Sequence, residues 1–270
     1  MKKVGWYISI SIYSLIIIFP FLWMISTALK PSGEIFSLTP TLIPKDITLS
    51  AFKEVWQMES LRKYVLNSFI VAISTTIISV FLSCLAGYGF SRFRFRGRNL
   101  LLFGFLCAQM IPGVILLMPI FGIMTSLSLL DTYTGLILAN ISFTLPYCTW
   151  IMTAFFKGIP QELEEVAFID GATRWQAFTK VILPLAVPGM ISTAIFSFIL
   201  SWDEFLFALT LTRSEEMRTL PYGLYSFMSQ YGVQWNQLMA AALFAIIPPL
   251  LLFLFLQRYF VKGLLAGALK

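Results

Sequence analysis

The sequence predicts an all-α membrane protein of six transmembrane helices, and three observations carry that prediction. Hydrophobic residues fill 58% of the 270 positions and charged residues only 12%, with a mean hydropathy of +0.83, whereas about a quarter of a soluble globule is charged. Six runs are apolar and long enough, at about 20 residues or more, to cross a bilayer as helices: 5–29, 65–90, 100–124, 134–156, 185–211 and 237–261. Twelve of the 19 basic residues fall on the side that holds the N-terminus, four of them in the short connection 92–98. That excess marks the side as cytoplasmic. Both termini are expected there, together with the connection 157–184, while 30–64 and 212–236 lie outside. Residues 1–270 read as one transmembrane domain.

Several function classes fall away on the same composition. A net charge of +6 is spread over short loops between apolar runs, where topology accounts for it, so no nucleic-acid partner is expected. With no histidine and no paired cysteines, neither a metal site nor nucleophilic catalysis of the Cys-His or Ser-His kind is available, and no cofactor is implied. Cys84, Cys107 and Cys148 each sit in an apolar run and read as small buried hydrophobes. No Gly-x-x-x-x-Gly-Lys-Ser/Thr loop is present to cradle a nucleotide. The first apolar run is too long for a signal peptide and is followed by no small-residue cleavage site, so it is expected to stay as a helix in the lipid.

Taken in order, the first connection carries a short amphipathic helix around Phe52 to Trp56. In the second span Thr75, Ser79, Ser83 and Gly87 are spaced four apart, a small-residue seam suited to close helix packing. The third span holds Gln109, Pro112, Gly113 and Pro119, and prolines inside a bilayer imply breaks whose freed carbonyls are satisfied by neighbours or by a water-filled cavity. Asn140, Ser142, Thr144 and Pro146 make part of the fourth span polar. The fifth repeats Gly189, Thr193, Ser197 and Ser201 every four residues and continues to Glu204, with Asp203 beside it. A carboxylate there costs roughly 2.5 to 3.5 kcal/mol at the bilayer centre and less near the interface, so it must face protein or water. Gln109, Asn140, Ser197, Ser201, Asp203 and Glu204 are therefore the candidate lining of a translocation path; helix packing and an interfacial acid pair are the plainer accounts. Aromatic and polar residues fill the last outer loop, Tyr222, Tyr225, Phe227, Gln230, Tyr231, Gln234 and Trp235 among them, and suit an interfacial belt or a reach toward an outer partner. Pro248 and Pro249 kink the sixth span, and a short, flexible, basic tail ends the chain.

The connection 160–184 has the strongest helix punctuation. Pro160 opens it, Glu162, Glu164 and Glu165 suit the positive end of a helix dipole, Gly171 allows a left-handed stop, and Asp170 is placed to cap a second short helix that Pro184 ends. Leu163, Val166, Ala167 and Asp170 share a face that can rest on apolar surface, with the glutamates left in water.

Glu165-Val166-Ala167, then Gly171 after three residues, then Val181-Ile182-Leu183-Pro184 after nine more, resembles the EAA loop of ABC importer permeases, with Val166 and Val181 in place of the usual Ala and Ile. The stretches 88–98, 201–205, 219–221 and 257–268 are similar to the smaller permease of maltose-type sugar importers, although Asp203 stands where Asn is common. This resemblance implies a type I, MetI-like permease fold in a bacterial plasma or inner membrane. It implies a cytoplasmic coupling helix in which Glu164, Glu165, Ala167, Asp170, Gly171, Ala172, Trp175 and Phe178 meet an ATPase. It also implies a second permease subunit, an ATPase dimer that does the hydrolysis, and an extracytoplasmic solute-binding protein. The work would be import of a sugar or oligosaccharide by alternating access. A proton-coupled secondary transporter using Asp203 and Glu204 is the alternative.

Overall fold

The structure, a computed structural model, describes residues 2–268 other than 38, 40, 230 and 231. The helices in chain order are α1 (Lys2–Ala28), α2 (Ser32–Ile35), α3 (Ser50–Gln57), α4 (Glu59–Arg92), α5 (Arg98–Gln109), α6 (Gly113–Ser126), α7 (Tyr133–Gly158), α8 (Glu162–Ile169), α9 (Arg174–Ala177), a π turn (Phe178–Ile182), α10 (Leu183–Leu185), α11 (Val187–Trp202), α12 (Leu206–Leu211), α13 (Leu220–Ser226) and α14 (Trp235–Ala268). A two-stranded antiparallel hairpin, β1 (Met228–Ser229) with β2 (Gly232–Val233), precedes α14.

Among the described residues, four helices are long and apolar enough to cross a membrane, and two bent pairs bring the number to six if each is one span. Two of the six expected spans are therefore broken. The third bends by 102° between α5 and α6, where Pro112 has no N–H to give and disfavours helical backbone at Ile111. The fifth begins at a 72° bend at Ala186, where the hairpin's second helix turns into α11 just before Pro188 in its first turn. It stops at Asp203, so that α12 is a separate short helix. Pro146, Pro248 and Pro249 lie within continuous helices. The chain's end is helical through Ala268, where a flexible tail was expected, because α14 simply continues.

The seam on α4 packs as its small residues demand. Thr75, Ser79, Ser83 and Gly87 are all buried, mostly against α7. The hydroxyls of Ser79 and Thr144 are 2.8 Å apart, and a Cβ on Gly87 would lie 2.8 Å from Met152 Cβ and 2.9 Å from the Thr153 backbone nitrogen. Between helices in lipid, such close approach supplies dispersion energy that water exclusion cannot. α11 closes onto both helices, and a Cβ on Gly189 would fall 2.5 Å from the Phe155 ring. α1 lies beside α14 with none of its most apolar window buried.

At the end opposite the 92–98 arginines, the connections are tied down by polar side chains. The expected amphipathic helix is α3, with Ala51 and Val55 buried and Trp56 5.7 Å from the Phe244 ring. Asn67 donates to the carbonyls of Glu216 (2.7 Å) and Arg218 (2.8 Å) and accepts from the Tyr133 hydroxyl (2.7 Å). Ser68 accepts from the Leu220 amide, and Asp131 from the amides of Arg213 and Ser214. The loop before α14 is thus pinned to α4 and to the α6–α7 turn. Tyr222 and Tyr225 sit on or beside α13, while Gln230 and Tyr231 lie outside the described residues.

Candidate functional site

The hairpin between α7 and α11 is built by local rules. Three glutamates occupy the first turn of α8, where the free amides favour negative charge. At its other end Gly171 takes φ +79°; its amide bonds the Phe168 carbonyl (3.0 Å) and the Ala172 amide bonds Ala167 (2.9 Å), so the last carbonyls are satisfied by a left-handed stop. The second helix is capped by Thr173, in a capping box with Gln176, and not by Asp170 as expected. Asp170 is still the C-cap of α8, too early to reach the free amides of α9. Nor does Pro184 end the helix: the π turn 178–182 carries the chain through it to Leu185.

The face of α8 that packs is not the expected one. Ala167 is buried, but its companion there is Glu164, whereas Val166 is 56%, Ile169 85% and, beyond the turn, Trp175 62% exposed. Spacing explains this, since Glu164 and Ala167 are three apart on one face and Leu163, Val166 and Ile169 step three apart along another. Glu164 forms a salt bridge with Arg92, at the end of α4, with side-chain exposures of 8% and 6%, and accepts from the Tyr88 hydroxyl at 3.0 Å. Arg92 also donates to the Ile159 carbonyl at 2.9 Å. Around this tie the Tyr88 ring lies 4.5 Å from Phe178 and 5.9 Å from Phe156, with Ile182 and Ala186 filling the same cluster. Arg174 stacks over Phe93 (5.5 Å) and Phe168 (5.9 Å). The hairpin is bolted to α4 and α7, while its other side, with Glu165, Asp170 and Gly171 among the apolar residues, is exposed among the described residues. Sequence reasoning missed Tyr88 and Arg92 as partners, because one arginine in a run of four carries no mark of its own. The shared face of Glu164 and Ala167 was the available signal.

The candidate path residues separate into two groups. Asn140, Ser197 and Ser201 are buried inside the chain; Ser201 donates to Asn140 Oδ1 at 3.0 Å, and Asn140 donates to the Leu136 carbonyl at 2.9 Å. These side chains hold α7 and α11 together. Gln109, half-buried, ties α5 to the Phe143 carbonyl at 2.8 Å. Glu204 sits in the break and accepts from the amides of Phe207 (2.7 Å) and Ala208 (3.2 Å), which stabilises the start of α12. Asp203 alone of the six is exposed. A cleft of about 550 Å³ between α4, α11 and α14 is lined by Phe69, Ile73, Ile77, Phe198 and Leu251, a surface for acyl chains or another helix and not for a polyhydroxylated solute.

Comparison with known proteins bears on the same elements. Residues 79–265, from the seam of α4 into α14, match the family model described as binding-protein-dependent transport system inner membrane component. The diacetylchitobiose uptake system permease protein DasC of Streptomyces coelicolor is 39% identical over 94% of this chain and 92% of its own length. The trehalose/maltose transport system permease protein MalG of Thermococcus litoralis is 35% identical over 100% of this chain and 98% of its own. Among solved structures, a chain of a bacterial ABC transporter involved in import of the acidic polysaccharide alginate superposes with a TM-score of 0.82 at 22% identity, covering 96% of each chain, which establishes a shared fold.

Proposed function

This chain belongs to the family of binding-protein-dependent transport system inner membrane components, and from that premise we propose which solute it passes and how the driving force reaches it. The chain is a membrane-embedded permease subunit of an ATP-driven importer, and hydrolysis takes place on a separate subunit. Its relatives' names point to a saccharide, with a disaccharide or longer oligosaccharide as the solute class. The solute arrives on an extracytoplasmic binding protein and passes between this chain and a second, related permease. The arginine end of the bundle and both termini face the cytoplasm, following the excess of basic residues.

The observation that carries the reading is the hairpin's two-sidedness. One side is fixed to α4 and α7 by Glu164, Phe178 and Ile182, and the other leaves Val166, Ile169 and Trp175 exposed. An exposed apolar patch rimmed by Glu165 and Asp170 is the form of a protein interaction site. An ATPase gripping that side would move α4 and α7 with it, and the breaks at Pro112 and Ala186 let the half-helices on either side turn separately. Asp203, exposed at the break after α11, is the side chain we place on the path. Glu204 is occupied as a helix cap, and family membership sets the proton-coupled alternative aside.

Ile169→Glu tests the lever. It alters an exposed side chain, so the permease should reach the membrane at its normal level, lose its ATPase on purification and lose at least roughly 90% of uptake, since a charge in a desolvated contact costs several kcal/mol. Full uptake with the ATPase still bound would refute it.

A further inference from the structure

The arginines of 92–98 serve two purposes. Arg92 is used by the hairpin tie, but Arg94, Arg96 and Arg98 line, with Asn99 and Leu100, a shallow open recess at the start of α5. Arg94 and Arg96 are exposed, and Arg98 Nε is shut away from solvent with no hydrogen-bond partner among the described residues. Gly97, at φ +86°, brings no capping side chain to the start of this 12-residue helix, and the Arg98 amide bonds the Phe95 carbonyl at 3.4 Å. Three arginines within five residues, lining one recess, make a site for an anion with several acceptor oxygens.

The surroundings indicate which anion. Immediately past the recess α5 runs into the broken third span, and Leu100, Leu101 and Phe103 are all exposed apolar side chains. A ligand here has its anionic part among arginines and a greasy surface directly beneath. Phosphate bonded to acyl chains fits both halves, whereas free phosphate fits only the first. We propose that the 94–100 recess binds the phosphate of an anionic phospholipid whose acyl chains lie along α5. The site abuts the hairpin: Phe93 carries Arg174, and Phe95 packs 5.8 Å from Phe90, in the last turn of α4. An occupied site would brace the segment against which the hairpin rests.

The test uses the assembled transporter in nanodiscs and in detergent, where both membrane faces present the same lipid, so the outcome is independent of which side is cytoplasmic. Native mass spectrometry with phosphatidylglycerol should show a tightly held adduct that phosphatidylcholine does not form. The triple variant Arg94→Gln, Arg96→Gln, Arg98→Gln should bind it roughly a hundredfold more weakly, on the order of fivefold for each arginine, while the corresponding triple lysine variant keeps most of the affinity. On the unmodified chain, phosphatidylglycerol with a photoreactive group high on its acyl chain should label peptides within 98–105, which settles the matter even if the glutamine variant fails to assemble. Labelling elsewhere, an adduct unchanged in a folded glutamine variant, or displacement of the lipid by millimolar inorganic phosphate overturns the proposal. So does a glutamine variant that keeps the lipid and loses the ATPase, which would make the cluster a protein contact.

Discussion

Removing the Glu164 carboxylate is the most direct probe of how the hairpin is held. In Glu164→Ala, Arg92 keeps its bond to the Ile159 carbonyl but loses its counter-ion, and Tyr88 loses the acceptor of its hydroxyl. Breaking a buried pair by deleting one partner costs about 3 to 5 kcal/mol, because the remaining charge stays out of water. Since Arg92 retains one carbonyl, the lower end applies, about 3 kcal/mol, which raises the population of the locally opened hairpin roughly a hundredfold. Hydrogen exchange reads this directly. Protection of the α8 amides, the Asp170 amide bonded to Val166 for example, should fall by that factor in the purified transporter, while α4 amides near Thr75 are unchanged. Arg92→Met combined with Glu164→Met removes both charges and should recover most of the loss, as buried ion pairs replaced by apolar pairs commonly do. If Glu164→Ala alters α8 protection by less than about threefold, the tie contributes little and the bolted-hairpin reasoning fails.

Other consequences are open to measurement. Gly87→Ala puts a methyl against Met152 Cβ and the Thr153 backbone, which cannot yield, and should cost about 1 to 3 kcal/mol, seen as a lower thermal midpoint in detergent; Gly104→Ala, with nothing within 4 Å of its Cβ, is the control. Ser201→Ala deprives buried Asn140 Oδ1 of its donor and should destabilise the chain by about 1 to 3 kcal/mol in the same assay, whereas a paired Asn140→Leu change recovers part of it. Burial works to raise the Asp131 pKa, but the amides of Arg213 and Ser214 outweigh it and hold the carboxyl below its ordinary 3.8. A depressed carboxylate contributes stability above the unfolded pKa and loses it as pH falls through the folded one. Exchange protection of the Arg213 and Ser214 amides should therefore persist to below pH 3.8 and vanish at still lower pH; loss of protection well above that value would contradict the linkage.

Much was legible locally. The apolar runs follow from length and composition, properties of short windows, and they reappear as four long apolar helices and two bent pairs. The seam of Thr75, Ser79, Ser83 and Gly87, the short α3 and the stop at Gly171 were equally readable, because spacing and backbone freedom belong to the residues themselves. Capping was misread at Asp170 because two plausible caps lay three residues apart, and only the chain's path after Gly171 selects Thr173.

By itself the sequence determined that this chain crosses a membrane in up to six spans and carries a helix-turn-helix projection at its arginine-rich end. Tertiary structure decided which residues face one another. It turned Glu164 inward onto Arg92 and left Ile169 outside, sank Asn140 and Ser201 into a helix contact, and set Glu204 to capping α12. The physical reason is that a buried polar side chain must find a partner, and the side chain that meets it is 61 residues away for Ser201 and 72, at Glu164, for Arg92, distances over which no local pattern carries information.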